Sequence, residues 1–217
     1  MIKVRTVFRK TGRAKYISHL DLNRFMLRAF RRTGLPIWYT EGYNPHPYIA
    51  FALALSLGYE SDCEIMDFNL NSEVDFDEIV SKLNAVMPEG IEFISAFTPV
   101  NKITAIARSE FSVKMFCDDT QKLMKDFSDF LQRDSIIVEK KTKKGMSEID
   151  LKPSVETSEL VCDDSCVSFN VILPAGTQTN YNPSLLIDAF KNVINYPIDM
   201  VKICRNSIIS DNGEKFL

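Results

Sequence analysis

The chain has 217 residues, 45% hydrophobic and 25% charged, the mixture of a globular protein with area for one large core or two smaller ones without disulfides or metals. No apolar run approaches the roughly 18 residues of a membrane span, and Met1-Ile2-Lys3-Val4-Arg5 is not followed by the apolar stretch of a secretory signal, so a cytoplasmic location and no membrane partner are expected. The net charge of −3 is unevenly shared: residues 1–47 carry ten Lys/Arg and two acids, a net +8, while the rest carry 16 basic and 27 acidic residues, a net −11. Such polarity draws anionic partners to the first part of the chain and repels them from the rest.

In chain order, residues 4–9 alternate loosely and read as a strand. Residues 10–15 form a basic turn around Gly12. Ser18-His19-Leu20-Asp21 is a capping box, in which Ser18 accepts from the third helical amide and Asp21 reaches back. The helix is expected to run to about residue 33, with Gly34 as its stop. Residues 37–40 suit a short strand, and Asn44-Pro45-His46-Pro47 a stiff loop, because two prolines fix their backbone. Apolar residues 49–57 precede a strand over 63–70. Asp75 opens an acid-started helix that ends near residues 87–90, and 91–97 is a strand. This order, β-α-β-loop-β-α-β, is the ferredoxin-like split arrangement.

The pattern recurs from residue 110. Strand 110–116 and helix 120–132 are followed by strands at 136–141, 147–152, 158–161 and 167–173. Pro183 then opens a helix at its first position, and 201–209 is a closing strand. Lys140-Lys141-Thr142-Lys143-Lys144-Gly145 reads as a hairpin tip. The expected fold is α+β: tandem ferredoxin-like (split βαβ) halves with antiparallel sheets. The basic half spans 1–100 and the less regular half 109–217.

On a helical wheel, Leu22, Phe25, Met26, Ala29, Phe30 and Thr33 gather on a core side. Arg24, Arg28 and Arg31 fall opposite, within an arc of about 60°, with Arg32 beside them. One reading is a solvated face with Asp21 paired to Arg24. The other, favoured because acids are nearly absent nearby, is a stripe for phosphates, since the guanidinium fork meets phosphate oxygens two at a time. Lys10, Arg13 and Lys15 would extend the path. Trp38, Tyr39, Tyr43 and Tyr48 crowd the same region and suit stacking on single-stranded nucleic acid, or they simply cover a strand and loop. Gly42 and Asn44 tolerate positive φ, although the proline after Asn44 biases it to extended geometry.

His19 and His46 are the only histidines. Either could be a general acid or base, or a metal ligand with Asp21 or Glu41, but bracing a loop is the commoner role and no zinc spacing is present. The five cysteines (Cys63, Cys117, Cys162, Cys166 and Cys204) show no disulfide framework and read as buried small hydrophobes. Phosphate-loop, dinucleotide and nucleophile-elbow motifs are missing.

Phe8-Arg9-Lys10-Thr11-Gly12, Tyr16-Ile17-Ser18-His19-Leu20-Asp21-Leu22, Arg28-Ala29-Phe30-Arg31-Arg32-Thr33-Gly34-Leu35-Pro36, Glu41-Gly42-Tyr43-Asn44-Pro45-His46-Pro47 and Leu57-Gly58-Tyr59-Glu60-Ser61 together resemble the radical-SAM-linked (radical-SAM-associated) family of unknown function. The resemblance is dense over residues 3–70 and fades afterwards. It implies a working relation to a radical SAM enzyme. Cys162 and Cys166 lack the third cysteine of a cluster-binding loop, so the chain would be the companion and not the catalyst, with no cofactor of its own.

The resulting expectation is a cytoplasmic accessory protein that binds RNA, tRNA or rRNA, through Lys10, Arg13, Lys15, Arg24, Arg28, Arg31, Arg32, Tyr43, Asn44 and His46. One alternative is a metal-independent ribonuclease or RNA-modifying enzyme using His46 or His19. Another is a protein-interaction module whose arginine face docks the radical SAM partner. A small anion such as a nucleotide could also stand in for RNA.

Overall fold

The computed structural model describes residues 1–142, 145–176 and 179–217. The chain divides into two compact units, Met1–Ile106 with Arg205–Leu217, and Ala107–Cys204. The class is α+β, with four α-helices and antiparallel strand pairs among the described residues. None of these helices is long and apolar enough to cross a membrane.

The first unit contains β1 (Ile2–Lys10), a 3-10 turn at Gly12–Tyr16, α1 (His19–Phe30), β2 (Ile49–Phe51), β3 (Glu60–Leu70), α2 (Phe76–Asn84) and β4 (Ile91–Phe97). β1 pairs with β3 and β4, and β2 pairs with β3, all antiparallel. The element order β-α-β-β-α-β is that of the split βαβ arrangement.

Local chemistry sets the helix ends. The Ser18 hydroxyl accepts the Asp21 N–H at 3.1 Å and donates to the Asp21 carboxylate at 2.7 Å, so the acid returns to the hydroxyl and not to the backbone of the cap. α1 stops at Phe30, three residues before the expected end. There the Thr33 hydroxyl donates to the Phe30 carbonyl at 2.8 Å and accepts the Leu35 N–H at 3.2 Å, turning the chain ahead of Gly34. Asp75 caps α2 by accepting the Asp77 and Glu78 amides at 2.9 and 3.2 Å.

Strand alternation divides the sheet into two faces. Val4 and Phe8 of β1, with Met66, Phe68 and Leu70 of β3, join Leu22, Met26 and Phe30 of α1 and Ile79 and Leu83 of α2 in the core. The residues between them, Lys3, Arg5, Asp67 and Asn69, fall on the helix-free face, where Lys3 lies opposite Asn69 and Arg5 opposite Asp67. Arg5 is buried, and its guanidinium forks onto Asp67 at 2.7 and 2.8 Å, reaches the Leu217 main-chain oxygen at 3.1 Å and covers the Phe216 ring at 4.7 Å. A second buried pair joins Arg205 to Glu64 at 2.8 Å. Charges so placed persist only when paired and hydrogen-bonded.

The second unit contains β5 (Ile106–Phe116), α3 (Thr120–Leu131), β6 (Ile137–Thr142), β7 (Gly145–Asp150), β8 (Glu156–Thr157), β9 (Val161–Cys162), β10 (Cys166–Pro174), α4 (Pro183–Lys191) and β11 (Met200–Ser210), the last shared with the first unit from Arg205 onward. β10 pairs with β5 along its length and with the short β8 and β9. β6 and β7 form a separate two-stranded sheet. The strand expected over 158–161 is replaced by β8 and β9, two residues each. A regular second copy of the first half is therefore not established. Of the basic hairpin tip, Lys143 and Lys144 lie outside the described residues. Phe127 packs against Phe169 and Phe190, both at 4.9 Å between centroids, and anchors α3 and α4.

Gly90 tests the packing of the basic turn. Its φ is +86°, and a Cβ there would fall 2.4 Å from the Thr11 carbonyl and 2.9 Å from the Ala14 Cβ. Gly90→Ala should lower the urea midpoint by more than about 1 kcal/mol equivalent. Gly213→Ala, at φ +85° with nothing within 4 Å, should cost less.

Candidate functional site

α1 and the turn after it expose four arginines with different engagements: Arg24 and Arg28 lie in the helix, Arg31 is its C-cap and Arg32 follows in the turn, because the helix stops short of the expected end. Arg24 lies 3.4 Å from Asp21, and Arg32 donates to the Val86 carbonyl at 3.3 Å. Arg28 and Arg31 have no hydrogen bond or ion pair among the described residues. The Arg24 pair is exposed and contributes only about 0.2–0.5 kcal/mol, so a phosphate competes with Asp21 at small cost. The helix thus presents a cationic face, opposite the buried Leu22, Met26, Ala29 and Phe30.

The basic turn supplies less charge than the sequence suggests. Arg13 is exposed, and Lys15 is half-buried, 3.5 Å from Glu60. Lys10 corrects the expectation. It is 1% exposed, and its ammonium donates to the Ile17 carbonyl at 2.8 Å and the Lys15 carbonyl at 3.4 Å. Alternation along β1 turns Lys10 toward the helical side, where it fastens the 3-10 turn. Burial pushes its ammonium below the usual lysine range, with Glu64 acting in the opposite direction. Lys10 therefore offers no charge to a ligand.

The loop expected from its prolines is a hairpin-like excursion. The Trp38 N–H donates to the Asn69 carbonyl at 2.9 Å, and the Thr40 N–H to the His46 carbonyl at 2.9 Å. Bridges join Ile37 to Leu70 and Tyr39 to Pro47, so the expected strand over 37–40 is reduced to isolated pairings. Residues 41–46 are exposed, and Tyr43 is fully exposed. Gly42 has φ +128°, whereas Asn44 keeps negative φ, as its following proline requires. The Asn71 N–H donates to the Pro36 carbonyl at 2.8 Å, and Phe30 meets Phe68 at 4.9 Å. The end of α1 carrying Arg31 and Arg32 and the root of the loop are thus fastened to the same end of β3.

The histidines occupy separate settings. His46 Nδ1 lies 2.9 Å from the Asn44 carbonyl and 3.3 Å from the Thr40 hydroxyl. A carbonyl only accepts, so Nδ1 carries the proton and the ring braces the loop, leaving Nε2 as its other polar group. The His19 ring meets Phe51 edge-on at 5.2 Å. Among the described residues neither ring is hydrogen-bonded to a carboxylate, and no group of three His, Cys, Asp or Glu is arranged to hold a metal ion.

On the helix-free face lies a cleft that sequence reasoning missed. Its volume is about 650 Å³, and its walls include Lys3, Arg5, Trp38, Tyr48, Asp67, Asn69 and residues 99–104. These come from five separate stretches, and of them only Trp38 and Tyr48 were marked by the sequence as candidate stacking residues.

Fold and surface define an α+β protein with an unneutralised arginine face beside a braced aromatic loop. The chain belongs to the family described as "Uncharacterized protein conserved in bacteria (DUF2344)", which it matches over residues 3–183. The match takes in the arginine helix and the loop and ends at the first residue of α4. No curated protein matches the sequence.

Of the cysteines, Cys63, Cys117 and Cys166 are buried and Cys162 and Cys204 partly so. Burial, reinforced by Glu64, pushes the Cys63 thiol up to about 12. Only the thiolate is nucleophilic. Iodoacetamide at pH 8 should therefore leave Cys63 unmodified in native protein and modify it after denaturation, as read by peptide mass mapping.

Proposed function

We propose that this chain is a cytoplasmic, RNA-binding accessory protein that presents tRNA or rRNA to a radical SAM enzyme. The observation that carries the RNA reading is the α1 face, where Arg28 and Arg31 stand exposed and unpaired among the described residues between Arg24 and Arg32. Arg13 and Lys15 continue the basic surface. Guanidinium groups in this arrangement take phosphate oxygens in pairs. The loop adds Tyr43, whose exposed ring offers a stacking platform, with Asn44 and His46 beside it. The resemblance of its motif strings to the radical-SAM-linked family is what supports the companion role.

The test is anisotropy with short single-stranded RNA and tRNA across a salt series. Each phosphate deprived of its arginine should flatten the log–log salt slope by about 0.7–0.9, so Arg28→Ala/Arg31→Ala should flatten it by about twice that. Tyr43→Ala should weaken binding by about 1–3 kcal/mol with little change of slope. Undetectable RNA binding at low salt contradicts the reading. Capture of a radical SAM enzyme that survives nuclease and is abolished in Arg28→Ala/Arg31→Ala would favour the protein-docking alternative.

A further inference from the structure

The cleft on the helix-free face holds a polar group the fold does not use. Asn69 is 7% exposed and lines the cleft, yet its side-chain amide makes no hydrogen bond among the described residues. The amide is not among the side-chain groups sealed from solvent without a partner, so it opens into the cleft, where its N–H and C=O can meet a ligand's acceptor and donor. Its neighbours on that face differ. Arg5 and Asp67 neutralise each other through their two-pronged pair. Lys3, directly across from Asn69, and Lys102, which also lines the cleft, are exposed with no partner among the described residues. The walls therefore carry uncompensated positive charge.

Two aromatic side chains complete the cleft. Trp38 and Tyr48 lie edge to face, 6.2 Å between centroids. Tyr48 is 41% exposed, and neither side chain makes a hydrogen bond among the described residues. The volume of about 650 Å³ falls in the range of small-molecule sites.

From these groups we infer that the cleft binds one unpaired nucleotide, its base stacked on Trp38 or Tyr48 and read at its edge by the Asn69 amide, its phosphate held by Lys3 and Lys102. Adenine is the favoured base, because its N6–H and N7 take a side-chain amide in two hydrogen bonds and its two-ring face stacks over a larger area than a pyrimidine's. The ligand is either a free nucleotide or one nucleotide of a bound strand. In the second case the inference rests on the RNA reading. The pocket and the α1 arginines lie on opposite faces of the sheet, so their ligands are separable by experiment.

Trp38 is the chain's only tryptophan, and its fluorescence reports on the cleft that it lines. Full-length protein is titrated with AMP, adenosine, UMP, inorganic phosphate and an adenine-containing RNA oligonucleotide, with absorbance correction, while anisotropy follows the oligonucleotide in parallel. AMP should quench saturably and more tightly than UMP, and phosphate should not quench. Asn69→Ala should weaken AMP by about tenfold. Lys102→Ala, on the exposed rim, should weaken AMP and spare adenosine, which keeps the test valid if Asn69→Ala folds poorly. Arg28→Ala/Arg31→Ala should leave AMP quenching unchanged. Quenching by AMP without RNA binding keeps the pocket as a free-nucleotide site and ends the RNA reading. Quenching by the oligonucleotide and not by AMP assigns the pocket to a nucleotide of the strand. RNA binding with no saturable quenching by any ligand, or AMP quenching indifferent to both Asn69→Ala and Lys102→Ala, overturns the inference.

Discussion

The alternation of β3 is the constraint on which both faces of the first unit depend. Met66, Phe68 and Leu70 turn into the core, and Asp67 and Asn69 turn away from it. A slip of one residue would exchange these sets, burying a carboxylate and an amide among phenylalanines and exposing Phe68. The Arg5–Asp67 fork, at 2.7 and 2.8 Å, holds the register from the polar side, and Phe30 on Phe68 holds it from the apolar side. With the register set, α1 must lie on the apolar face, which fixes where its arginines point. The root of the loop must follow the end of the strand, which brings Trp38 beside Asn69. The arginine face and the cleft are two consequences of one pairing.

That pairing also sorts the charges of the basic segment. Arg5 and Lys10 are consumed by the fold, one by a carboxylate and one by backbone carbonyls. Arg9 lies 3.5 Å from both Asp62 and Glu92, and Lys15 lies 3.5 Å from Glu60. Lys3, Arg13, Arg28 and Arg31 remain uncommitted among the described residues, with Arg24 and Arg32 only lightly engaged. A net charge of +8 read from the sequence thus overstates what an anion meets, while the clustering of what remains on α1 strengthens the case for that face.

Local signals were the legible ones. Ser18, Asp75 and Pro183 mark helix starts because each acts within one turn of its own position, and the structure begins α1, α2 and α4 at those signals. The stop of α1 was less legible, because Thr33 competes for the Phe30 carbonyl before Gly34 is reached. Lys10 was misread, since its burial depends on where the 3-10 turn folds back, a tertiary event. Asn69 was invisible for a related reason. It is one of several polar residues interleaved with the apolar ones of β3, and its significance arises only when Lys3, Trp38 and Lys102 are brought around it. The repeat expected of the second half is not established, and its strands were hard to read because very short ones such as β8 and β9 carry too few residues for a period to show.

We propose the first unit as the surface that meets RNA. Ultraviolet crosslinking of the full-length protein to a bound single-stranded RNA, with peptides mapped by mass spectrometry, tests it most directly. Crosslinks are expected in residues 13–48, with Tyr43 prominent and Trp38 or Tyr48 joining it when the strand reaches the cleft. Crosslinks confined to residues 107–204 would contradict it.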